Sequence, residues 1–380
     1  MCAMRVLITG ASGFIGKNLC VNLARLPEEF ALLRFDVESP TEALAEYARQ
    51  ADFVIHLAGV NRPMDPAEYQ AGNFDLTRQL LLLLRERSEK IPFVLASSAQ
   101  AALDNPYGQS KQAAEAEAFA YARDTGAPAY VFRFPGVFGK WCRPFYNSVV
   151  ATFCHQAARN EAMQVEDPAI ELTLLYIDDL VETLMALLRG GGTNQPSDAD
   201  GFCHASPTYS ITLGRLADTL RGFADSRAAF AITGDRADSL TRKLYATFLS
   251  YLPEDGFAVA AQRHPDVRGD FAELIKSAQF GQISVSRTVP GVTRGQHWHN
   301  TKAEKFVVIQ GQGVIRFRKL GTDTVLSYPV SGERYDIVDI PPGYTHNIEN
   351  TGPGELLLLI WAGELYDREH PDTYVEEVQA

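Results

Sequence analysis

Three features that would assign a chain to a class of protein are missing from this sequence of 380 residues. It has no long basic run and a formal net charge of -12 at pH 7, so we expect it to bind neither nucleic acid nor an anionic membrane. It has no uninterrupted run of about 18 apolar residues and no apolar segment of the signal-peptide type near its start, so we expect no membrane span and no export. The five cysteines show no paired spacing, which is typical of a reducing compartment, and the expected location is cytoplasmic.

The length and composition that remain are those of a globular protein with more than one domain. The chain is 46% hydrophobic and 22% charged, and it is long enough for two or three domains. Because its overall charge is negative, an anionic substrate must be bound by local arginines and helix N-termini. The segment Pro253–Gly256 is the expected linker, which divides the chain into domains at residues 1–252 and 257–380.

A dinucleotide-binding turn is predicted near the start of the chain. Residues Arg5–Thr9 have the character of a short buried strand, and a helical pattern follows from Phe14 through Leu23. Between them, glycines in the spacing GxxGxxG let the backbone turn tightly and approach a pyrophosphate at the helix N-terminus. The cofactor contacts expected from this turn are Gly10, Gly13, Phe14, Ile15 and Gly16.

The end of the second strand bears on the choice of cofactor. Residues Ala31–Phe35 predict this strand, and Asp36 follows it, twenty residues after Gly16. An acid at this position accepts hydrogen bonds from the adenosine ribose of NADH, whereas a nearby arginine accommodates the 2′-phosphate of NADPH. Arg34 and Asp36 are both present, so the sequence leaves NADH and NADPH open.

Strands and helices continue to alternate, which predicts an α/β fold with a doubly wound parallel sheet of the Rossmann type. Strands are expected at Phe53–Ala58 and Phe93–Ala96, with a leucine-rich helix between them. A ligand of such a sheet lies beyond the carboxyl ends of the strands. Further cofactor contacts are therefore expected from Leu57, Ala58 and Gly59.

A second group of polar residues follows the fourth strand. Tyr107 and Lys111 are four residues apart, so they share one face of a helix, and Ser98 ends the strand before them. A nearby ammonium group stabilises a phenolate, so we expect Lys111 to lower the pKa of Tyr107 and to make it a better proton donor or acceptor near neutral pH. Ser98 is expected to hold the carbonyl oxygen of a substrate while the proton moves.

These residues resemble the extended short-chain dehydrogenase/reductase family. The likeness continues through HLAG, RFPGVFG and YIDDLV, at residues 56–59, 133–139 and 176–181, and covers about the first 250 residues. It implies that Ser98, Tyr107 and Lys111 are catalytic. Two departures are present. Tyr107 lies only nine residues after Ser98, a shorter insertion than most extended members have. Ala99 and Gln100 stand where the nucleotide-sugar 4,6-dehydratases carry an Asp-Glu pair, which disfavours water elimination.

The segment Phe138–Ser148 (FGKWCRPFYNS) has the composition of a loop that binds a sugar diphosphate. Lys140 and Arg143 can neutralise phosphate, and Trp141 offers a stacking surface. By family likeness this is the nucleotide-sugar loop. The substrate contacts implied in and near it are Arg133, Lys140, Trp141, Arg143 and Asn147.

The stretch Gly291–Gly311 (GVTRGQHWHNTKAEKFVVIQG) predicts a metal site. Side chains alternate along a strand, so two histidines separated by Trp298 face the same side, and an acid five residues later can reach that side from the next strand. A third histidine recurs further on. Three imidazole nitrogens and one carboxylate suit a divalent metal. The predicted ligands are His297, His299, Glu304 and His346.

This spacing resembles the two cupin motifs. The second motif is matched by Pro341, Gly343, His346 and Asn350, although Tyr335 stands where it usually begins with glycine. Together with short alternating strands, the resemblance implies an all-β cupin (jelly-roll) domain in the C-terminal part. It implies zinc as the metal, although the same ligand set in other cupins takes iron, manganese or nickel.

The pairing of such a reductase with a cupin resembles, over almost the full length, the bifunctional enzymes of capsular polysaccharide synthesis. HLAGVNRP, FGKWCRP, HWHNTKAEKF and GYTHNIEN carry the resemblance. It implies a homodimer in which the cupin epimerises a UDP-4-keto-hexosamine at C3 and the first domain reduces it at C4, to UDP-2-acetamido-2,6-dideoxy-L-talose. Because a C3 proton is acidic only while C4 is a ketone, epimerisation must precede reduction. The metal would act as a Lewis acid on that ketone.

Two other functions stay open at this point. If the cupin metal only stabilises a dimer, the chain is a nucleotide-sugar 4-reductase or 4-epimerase with a structural appendage. A cofactor-sensing binding protein is the other alternative, although a sensor has no use for the three catalytic residues together. The proton-transfer bases of the epimerase stay open as well, and the residues eligible by type are Tyr335, Lys302 and Lys276.

Overall fold

A computed structural model describes residues 3–40, 42–190, 198–234 and 237–379. They divide into two compact units: the first lies within residues 1–220 and 236–252, and the second within residues 221–235 and 253–380. Residues 221–235 belong to the second unit because backbone hydrogen bonds join Phe230 and Ile232 to Lys276. Among the described residues, no helix is both long and apolar enough to cross a membrane.

Strands and helices alternate through the first unit, as the sequence predicts. In chain order the elements are β1 Met4–Thr9, α1 Phe14–Leu23, β2 Phe30–Phe35, α2 Ala43–Gln50, β3 Phe53–His56, α3 Ala67–Tyr69, α4 Leu76–Arg85, β4 Phe93–Ser98, α5 Pro106–Thr125, β5 Ala129–Phe134, β6 Gly136–Phe138, α6 Val149–Ala157, β7 Glu171–Tyr176, α7 Ile177–Leu188, β8 Phe202–Cys203, β9 Thr208–Thr212, α8 Leu213–Ala228 and α9 Ser239–Leu249. Residues 221–228 of α8 belong to the second unit. A π-helical turn at Gln70–Asp75 leads into α4, and a 3₁₀ turn at Ala99–Ala102 follows β4.

The main sheet of the first unit is parallel, with the strand order β2-β1-β3-β4-β5-β8. Its central strands are apolar and fully buried, because hydrophobic clusters cover both faces. The chain leaves β1 toward β2 on one side and later returns to β3 on the other side. This order reverses direction between β1 and β3, which is where a ligand crevice opens in a doubly wound sheet. A smaller sheet pairs β6, β7 and β9.

The second unit consists mainly of antiparallel strands. They are β10 Arg263–Asp266, β11 Gly269–Ser277, β12 Gly281–Thr288, β13 Thr293–Trp298, β14 Glu304–Gln310, β15 Gln312–Lys319, β16 Val325–Ser331, β17 Ile337–Ile340, β18 Tyr344–Asn350, β19 Leu356–Ala362 and β20 Tyr374–Val375. One sheet has the order β10-β11-β12-β19-β14-β17, and the other has the order β16-β15-β18-β13-β20. A 3₁₀ turn at Glu254–Gly256 precedes them.

The two antiparallel sheets share one hydrophobic core. Phe306 and Val308 on β14 contribute to it from one sheet, and Ile315 and Phe317 on β15 contribute from the other. Buried and less buried positions alternate along β12, β14 and β15, as expected for strands with one face toward a core. The predicted fold class, a parallel α/β sheet followed by an all-β part, is confirmed.

Candidate functional site

The glycine turn after β1 is shaped by close backbone contacts. Gly10 has a φ of +67°, and a Cβ there would lie 2.8 Å from the backbone nitrogen of Ala58. A Cβ on Gly16 would lie 2.1 Å from the carbonyl oxygen of Gly10. Side chains at these positions would fill the space over the N-terminus of α1. The turn therefore leaves a backbone-lined cradle, which fits the pyrophosphate of a dinucleotide.

A cleft of about 850 Å³ opens at the carboxyl ends of the parallel strands. It brings together most of the residues that the sequence analysis assigned to the cofactor, the chemistry and the substrate. Those that line it are Gly10, Gly13, Phe14, Ile15, Gly16, Leu57, Gly59, Ser98, Tyr107, Lys111, Trp141, Arg143 and Asn147.

Helix α5 positions the tyrosine and the lysine of this cleft. Asn105 caps the helix by accepting a hydrogen bond from the backbone N–H of Gly108 at 2.8 Å, and Pro106 occupies the first turn. The Tyr107 hydroxyl donates to Oδ1 of Asn61 at 3.0 Å, and Lys111 Nζ donates to the carbonyl of Ala96 at 3.3 Å. Asn61 is a neighbour of the phenol that the sequence analysis missed, because it follows a different strand.

The electrostatics of this pair differ from the expectation. Burial raises the pKa of Tyr107, whereas the sequence predicted that Lys111 would lower it. The Lys111 ammonium lies 6.0 Å from the centre of the Tyr107 ring. Burial also lowers the pKa of Lys111 to about 8, although the nearby carboxylate of Glu115 opposes this shift. Burial therefore sets the direction of both pKa shifts, and Lys111 is not among the groups that shift the pKa of Tyr107.

Arg133 does not join the cleft. Its guanidinium makes a two-pronged ion pair with Glu115 on α5, with Nη2 2.7 Å and Nε 2.9 Å from the carboxylate oxygens, and it stacks on the ring of Phe202. The Ser97 hydroxyl donates to the same carboxylate at 2.5 Å. Glu115 was missed in the sequence, since nothing in the local pattern indicates that it faces Arg133. Arg133 therefore pairs with Glu115 within the fold and does not line the cleft.

The other expected contacts, which are Arg34, Asp36, Ala58 and Lys140, do not line the cleft themselves. Lys140 pairs with Asp178 at 2.5 Å, and Lys17 lies 4.7 Å above the ring of Trp141. Asp36 accepts hydrogen bonds from the backbone N–H of Ser12 at 2.6 Å and from that of Val37 at 2.9 Å. Arg34 is exposed on β2 near Asp36. Ala58 contacts the glycine turn through its backbone.

The four predicted metal ligands converge in the second unit. His297 on β13 pairs directly with His346 on β18, and Glu304 begins β14. The ring centres of the three histidines are 4.6 to 5.3 Å apart. One donor atom from each of the four residues can be chosen so that all lie within 4.8 Å of one another. The spacing HxH, the later acid and the distant histidine thus describe one cluster.

The hydrogen bonds around this cluster fit a cation. Nδ1 of His299 lies 2.6 Å from the carbonyl oxygen of Asp372, and a carbonyl can only accept, so this nitrogen carries the proton. Nε2 of His299 is the ring nitrogen that is left to bind a metal, and it is buried 3.3 Å from Glu304. Within the described residues, that nitrogen and both ring nitrogens of His346 have no hydrogen-bond partner. Buried nitrogens of this kind beside a carboxylate fit a divalent metal.

The charge states agree with this arrangement. Burial lowers the pKa of His297 to about 4, so that its ring is neutral at pH 7. Although burial opposes ionisation of Glu304, the neighbouring His299 and His346 hold its pKa below the ordinary value. The cluster therefore presents a neutral imidazole at His297 and an ionised carboxylate at Glu304.

The C-terminal segment holds the loop between two of the ligands. The Asp372 carboxylate accepts hydrogen bonds from the backbone N–H groups of Asn300, Thr301 and Lys302, each at 2.9 Å. These bonds, against the opposing effect of burial, lower the pKa of Asp372. The sequence analysis missed this role, because about 70 residues separate Asp372 from the loop that it caps.

A cavity of about 360 Å³ lies beside the cluster and is lined by His297, Glu304 and Lys302 among others. Of the residues eligible as proton-transfer bases, Lys302 faces this cavity, with its Nζ 3.0 Å from Oγ1 of Thr373. Lys276 instead pairs with Glu273 at 3.0 Å, and Tyr335 is 59% exposed outside the cavity.

Comparison with known proteins finds matches to both units of the chain. Residues 6–197 match the NAD dependent epimerase/dehydratase family, and residues 264–374 match the polysaccharide biosynthesis C-terminal domain. A UDP-2-acetamido-2,6-beta-L-arabino-hexul-4-ose reductase from Pseudomonas aeruginosa strain PA103 is 44% identical over 371 residues, which cover 98% of each chain. The chain belongs to the NAD-dependent epimerase/dehydratase family. As a member, it is an enzyme that uses a nicotinamide cofactor.

Solved structures extend this family assignment to the whole chain. The crystal structure of the capsular polysaccharide assembling protein CapF from Staphylococcus aureus matches with a TM-score of 0.90 and 42% sequence identity, covering 98% of this chain and 100% of that chain. A UDP-glucuronic acid 4-epimerase from Bacillus cereus, solved with NAD, covers 65% of this chain and 96% of its own. Its TM-score of 0.53 and identity of 18% show a shared fold alone.

The pKa of Lys111 generates a prediction for the pH dependence of this family member. Because burial lowers that pKa to about 8, the ammonium loses its proton as the pH rises through this value, while Tyr107, whose pKa is raised, stays protonated. We expect kcat/KM for reduction to fall above about pH 8, as measured by cofactor absorbance from pH 6 to 10. A flat profile up to pH 10 would contradict a role for the charge of Lys111.

The contact between Asp372 and the loop generates a second prediction. Asp372→Asn keeps the shape of the side chain but removes one acceptor oxygen, so the loop between the metal ligands loses part of its anchor. We expect the affinity for Zn²⁺ to fall about 10- to 100-fold, measured by competition with a chelator. The matched control is Asp367→Asn, at an exposed aspartate five residues earlier. Equal affinities in the two variants would refute this anchoring role.

Proposed function

We propose that this enzyme is a bifunctional nucleotide-sugar enzyme of polysaccharide biosynthesis. In its second unit, a cupin, it epimerises a UDP-4-keto-6-deoxy-N-acetylhexosamine at C3. In its first unit it then reduces the C4 ketone with NAD(P)H, giving UDP-2-acetamido-2,6-dideoxy-L-talose. The observation that carries the proposal is the presence of two chemically distinct sites in one chain, a cleft with Ser98, Tyr107 and Lys111 and a buried cluster of three histidines and Glu304.

The chemistry of the sugar sets the order of the two steps. Removal of the C3 proton is favourable only while the neighbouring C4 carbon is a ketone, because the negative charge then spreads onto the carbonyl oxygen. Reduction at C4 removes that stabilisation. The second unit must therefore act first, and the first unit must bind the epimerised ketone.

Three residues of the first unit would perform the reduction. Ser98 lines the cleft near the phenol and would hold the C4 oxygen, and Tyr107 would donate its proton to that oxygen. The raised pKa of Tyr107 keeps this proton in place near neutral pH. Lys111, one helical turn away, would stabilise the negative charge that the phenol acquires. The bound nicotinamide supplies a hydride to C4.

Two residues at the end of β2 support NADPH as the reduced cofactor. Both carboxylate oxygens of Asp36 already accept hydrogen bonds from backbone N–H groups, which limits their capacity to accept from ribose hydroxyls. Arg34 is exposed nearby and can bind a 2′-phosphate. NADH is the alternative, and a comparison of the two Michaelis constants separates them.

The cleft also carries groups suited to the nucleotide part of the substrate. Arg143 lies against the ring of Tyr146, with its guanidinium carbon 5.2 Å from the ring centre, and Asn147 follows. Trp141 is 44% exposed and is available for stacking. We propose these residues as UDP-sugar contacts together with Lys140, whereas the ion pair of Arg133 with Glu115 argues against a substrate role for Arg133.

In the second unit, His297, His299, Glu304 and His346 would hold Zn²⁺. Such an ion supplies positive charge that stabilises a developing negative charge on the C4 oxygen. The tautomer of His299 is set by its hydrogen bond to Asp372, and Glu304 stays ionised, so the protein presents the site ready to bind. We also propose that the enzyme is a homodimer, which sedimentation of the purified protein tests. Its proposed location is cytoplasmic.

Two variants test whether two sites act in series. The substrate UDP-4-keto-6-deoxy-N-acetylhexosamine is supplied in deuterated water, and C3 deuterium and cofactor oxidation are followed together. We expect His299→Ala to lose C3 exchange by a factor on the order of 100 or more, because a metal ligand is gone. We expect Tyr107→Phe to lose reduction by about 10²- to 10⁴-fold while C3 exchange continues.

The wild-type enzyme decides between this proposal and the single-activity alternative. If it shows no metal-dependent C3 exchange, the second unit is not an epimerase. The first unit would then be a reductase or 4-epimerase, and the metal held by the histidines and Glu304 would only stabilise a dimer.

A further inference from the structure

One inward face of the second unit is polar where a packed core would be apolar. The side chains of Gln282, Ser284, Ser286 and Thr288 on β12 alternate toward the interior and are each less than 10% exposed. The first three line the cavity beside the metal-binding cluster. A β-sandwich buries polar side chains at such positions only at a cost, unless they have partners. Gln282 donates to Oγ of Ser284 at 3.4 Å and accepts from the backbone N–H of Tyr366 at 3.2 Å, and a ligand rich in hydroxyl and amide groups supplies further partners.

The opposite wall of the cavity carries an arginine because of a β-bulge. Arg294 and His297 are three residues apart on β13, so regular alternation would place them on opposite faces. The register shifts between Gly295 and His297, and Gly295 and Gln296 have φ values of +95° and +65°. The extra residue brings Arg294 onto the cavity face together with His297.

The guanidinium of Arg294 is only partly satisfied by the protein. Its Nη2 donates to Asp266 at 3.0 Å and lies 3.4 Å from the carbonyl oxygen of Arg287. Its Nε is buried, and no acceptor for it lies among the residues that the structure describes. Burial lowers the pKa of this group, against the attraction of Asp266. A buried guanidinium donor without an acceptor is costly unless an anion completes it.

We infer that Arg294 binds the diphosphate of the nucleotide sugar in the second unit and that the polar face of β12 contacts the sugar ring. This inference rests on the proposed function. C1, which carries the diphosphate, lies across the pyranose ring from the C3–C4 bond. Arg294 and His297 are separated by about 7 to 10 Å along β13, at roughly 3.3 Å per residue. The reacting carbons can therefore lie at the cluster while the phosphates reach the arginine.

The charges in the cavity favour this orientation over its reverse. The metal that Glu304 and the histidines would hold lies at the cluster end, where the C4 ketone must bind for its developing charge to be stabilised, so the diphosphate is directed to the other end. Arg294 lies at the other end of the β13 stretch, and Asp266, its ion-pair partner, neutralises only part of its charge through one nitrogen. Glu273 and Glu364 also line the cavity, so the arginine is the group that makes an anion acceptable there.

The test compares substrates with and without the diphosphate. In the full-length, metal-loaded enzyme, we expect Arg294→Gln to raise the KM for C3 exchange of the UDP-4-keto sugar about 10- to 100-fold, because a charge-assisted hydrogen bond is lost. With the nucleotide-free 4-keto sugar we expect no change. Reduction of the already epimerised UDP-4-keto sugar, which takes place in the first unit, should be unaltered.

Two further variants separate a binding role from a structural one. Arg287→Gln is the matched control, since that arginine lies on the other face of β12 and pairs with Glu355. It should behave as wild type. Arg294→Lys keeps the charge without the planar fork and should give an intermediate KM. Zinc content, measured for each variant, reports whether the second unit is folded.

Each result supports or overturns the inference. An unchanged KM in Arg294→Gln overturns it, as does an equal loss with both substrates, which would indicate a structural role. If the wild-type enzyme shows no C3 exchange, the proposed function fails. Calorimetric titration with UDP-N-acetylglucosamine then tests the anion site independently of C3 exchange. Loss of one of two binding sites in Arg294→Gln then supports the anion site, whereas unchanged binding overturns it.

Discussion

Buried nitrogen atoms that lack hydrogen-bond partners in the described part of the chain impose the strongest constraint on the second unit. His299 and His346 are almost completely buried, and their free ring nitrogens face a buried carboxylate. Such groups are costly in a low-dielectric interior unless a cation completes them. The surrounding contacts favour the binding of a cation, because Asp372 both fixes the tautomer of His299 and caps the loop that leads to Glu304. The β-bulge beside His297 opens the same region to a cavity.

In the first unit the strongest constraint is steric, and it comes from the close backbone contacts of the glycine turn. The turn after β1 approaches the segment that follows β3 so closely that a Cβ at residue 10 would meet the backbone of Ala58, and a Cβ at residue 16 would meet the carbonyl oxygen of Gly10. This approach brings the N-terminus of α1 to the crevice between β1 and β3. Helix α5 then presents Tyr107 and Lys111 to that crevice, and Oδ1 of Asn61 accepts a hydrogen bond from the phenol. Backbone geometry thus shapes the proposed cofactor site, and burial shifts the pKa values of Tyr107 and Lys111 beside it.

The parts predicted from the sequence are those encoded by short spacings. The glycine turn, the tyrosine and lysine one helical turn apart, and the alternating histidines each depend on the geometry of one strand or helix, so pattern alone located them. The missed features depend on contacts distant in sequence. Glu115 engages Arg133, Asp372 caps a loop about 70 residues away, and residues 221–235 join the second unit. The predicted direction of the pKa shift of Tyr107 was wrong, because a spacing of four residues gives the proximity of Lys111 but not the extent to which Tyr107 is buried.

The central claim is that metal-dependent epimerisation and cofactor-dependent reduction take place at separate sites in series. The most direct measurement supplies metal-stripped, full-length enzyme with NADPH and two substrates in turn, the original UDP-4-keto sugar and its C3 epimer. We expect the epimer to be reduced at the rate of the metal-loaded enzyme and the original sugar not to yield the L-talo product. Equal loss of activity with both substrates would contradict the account, because it would show that reduction itself depends on the metal bound in the second unit.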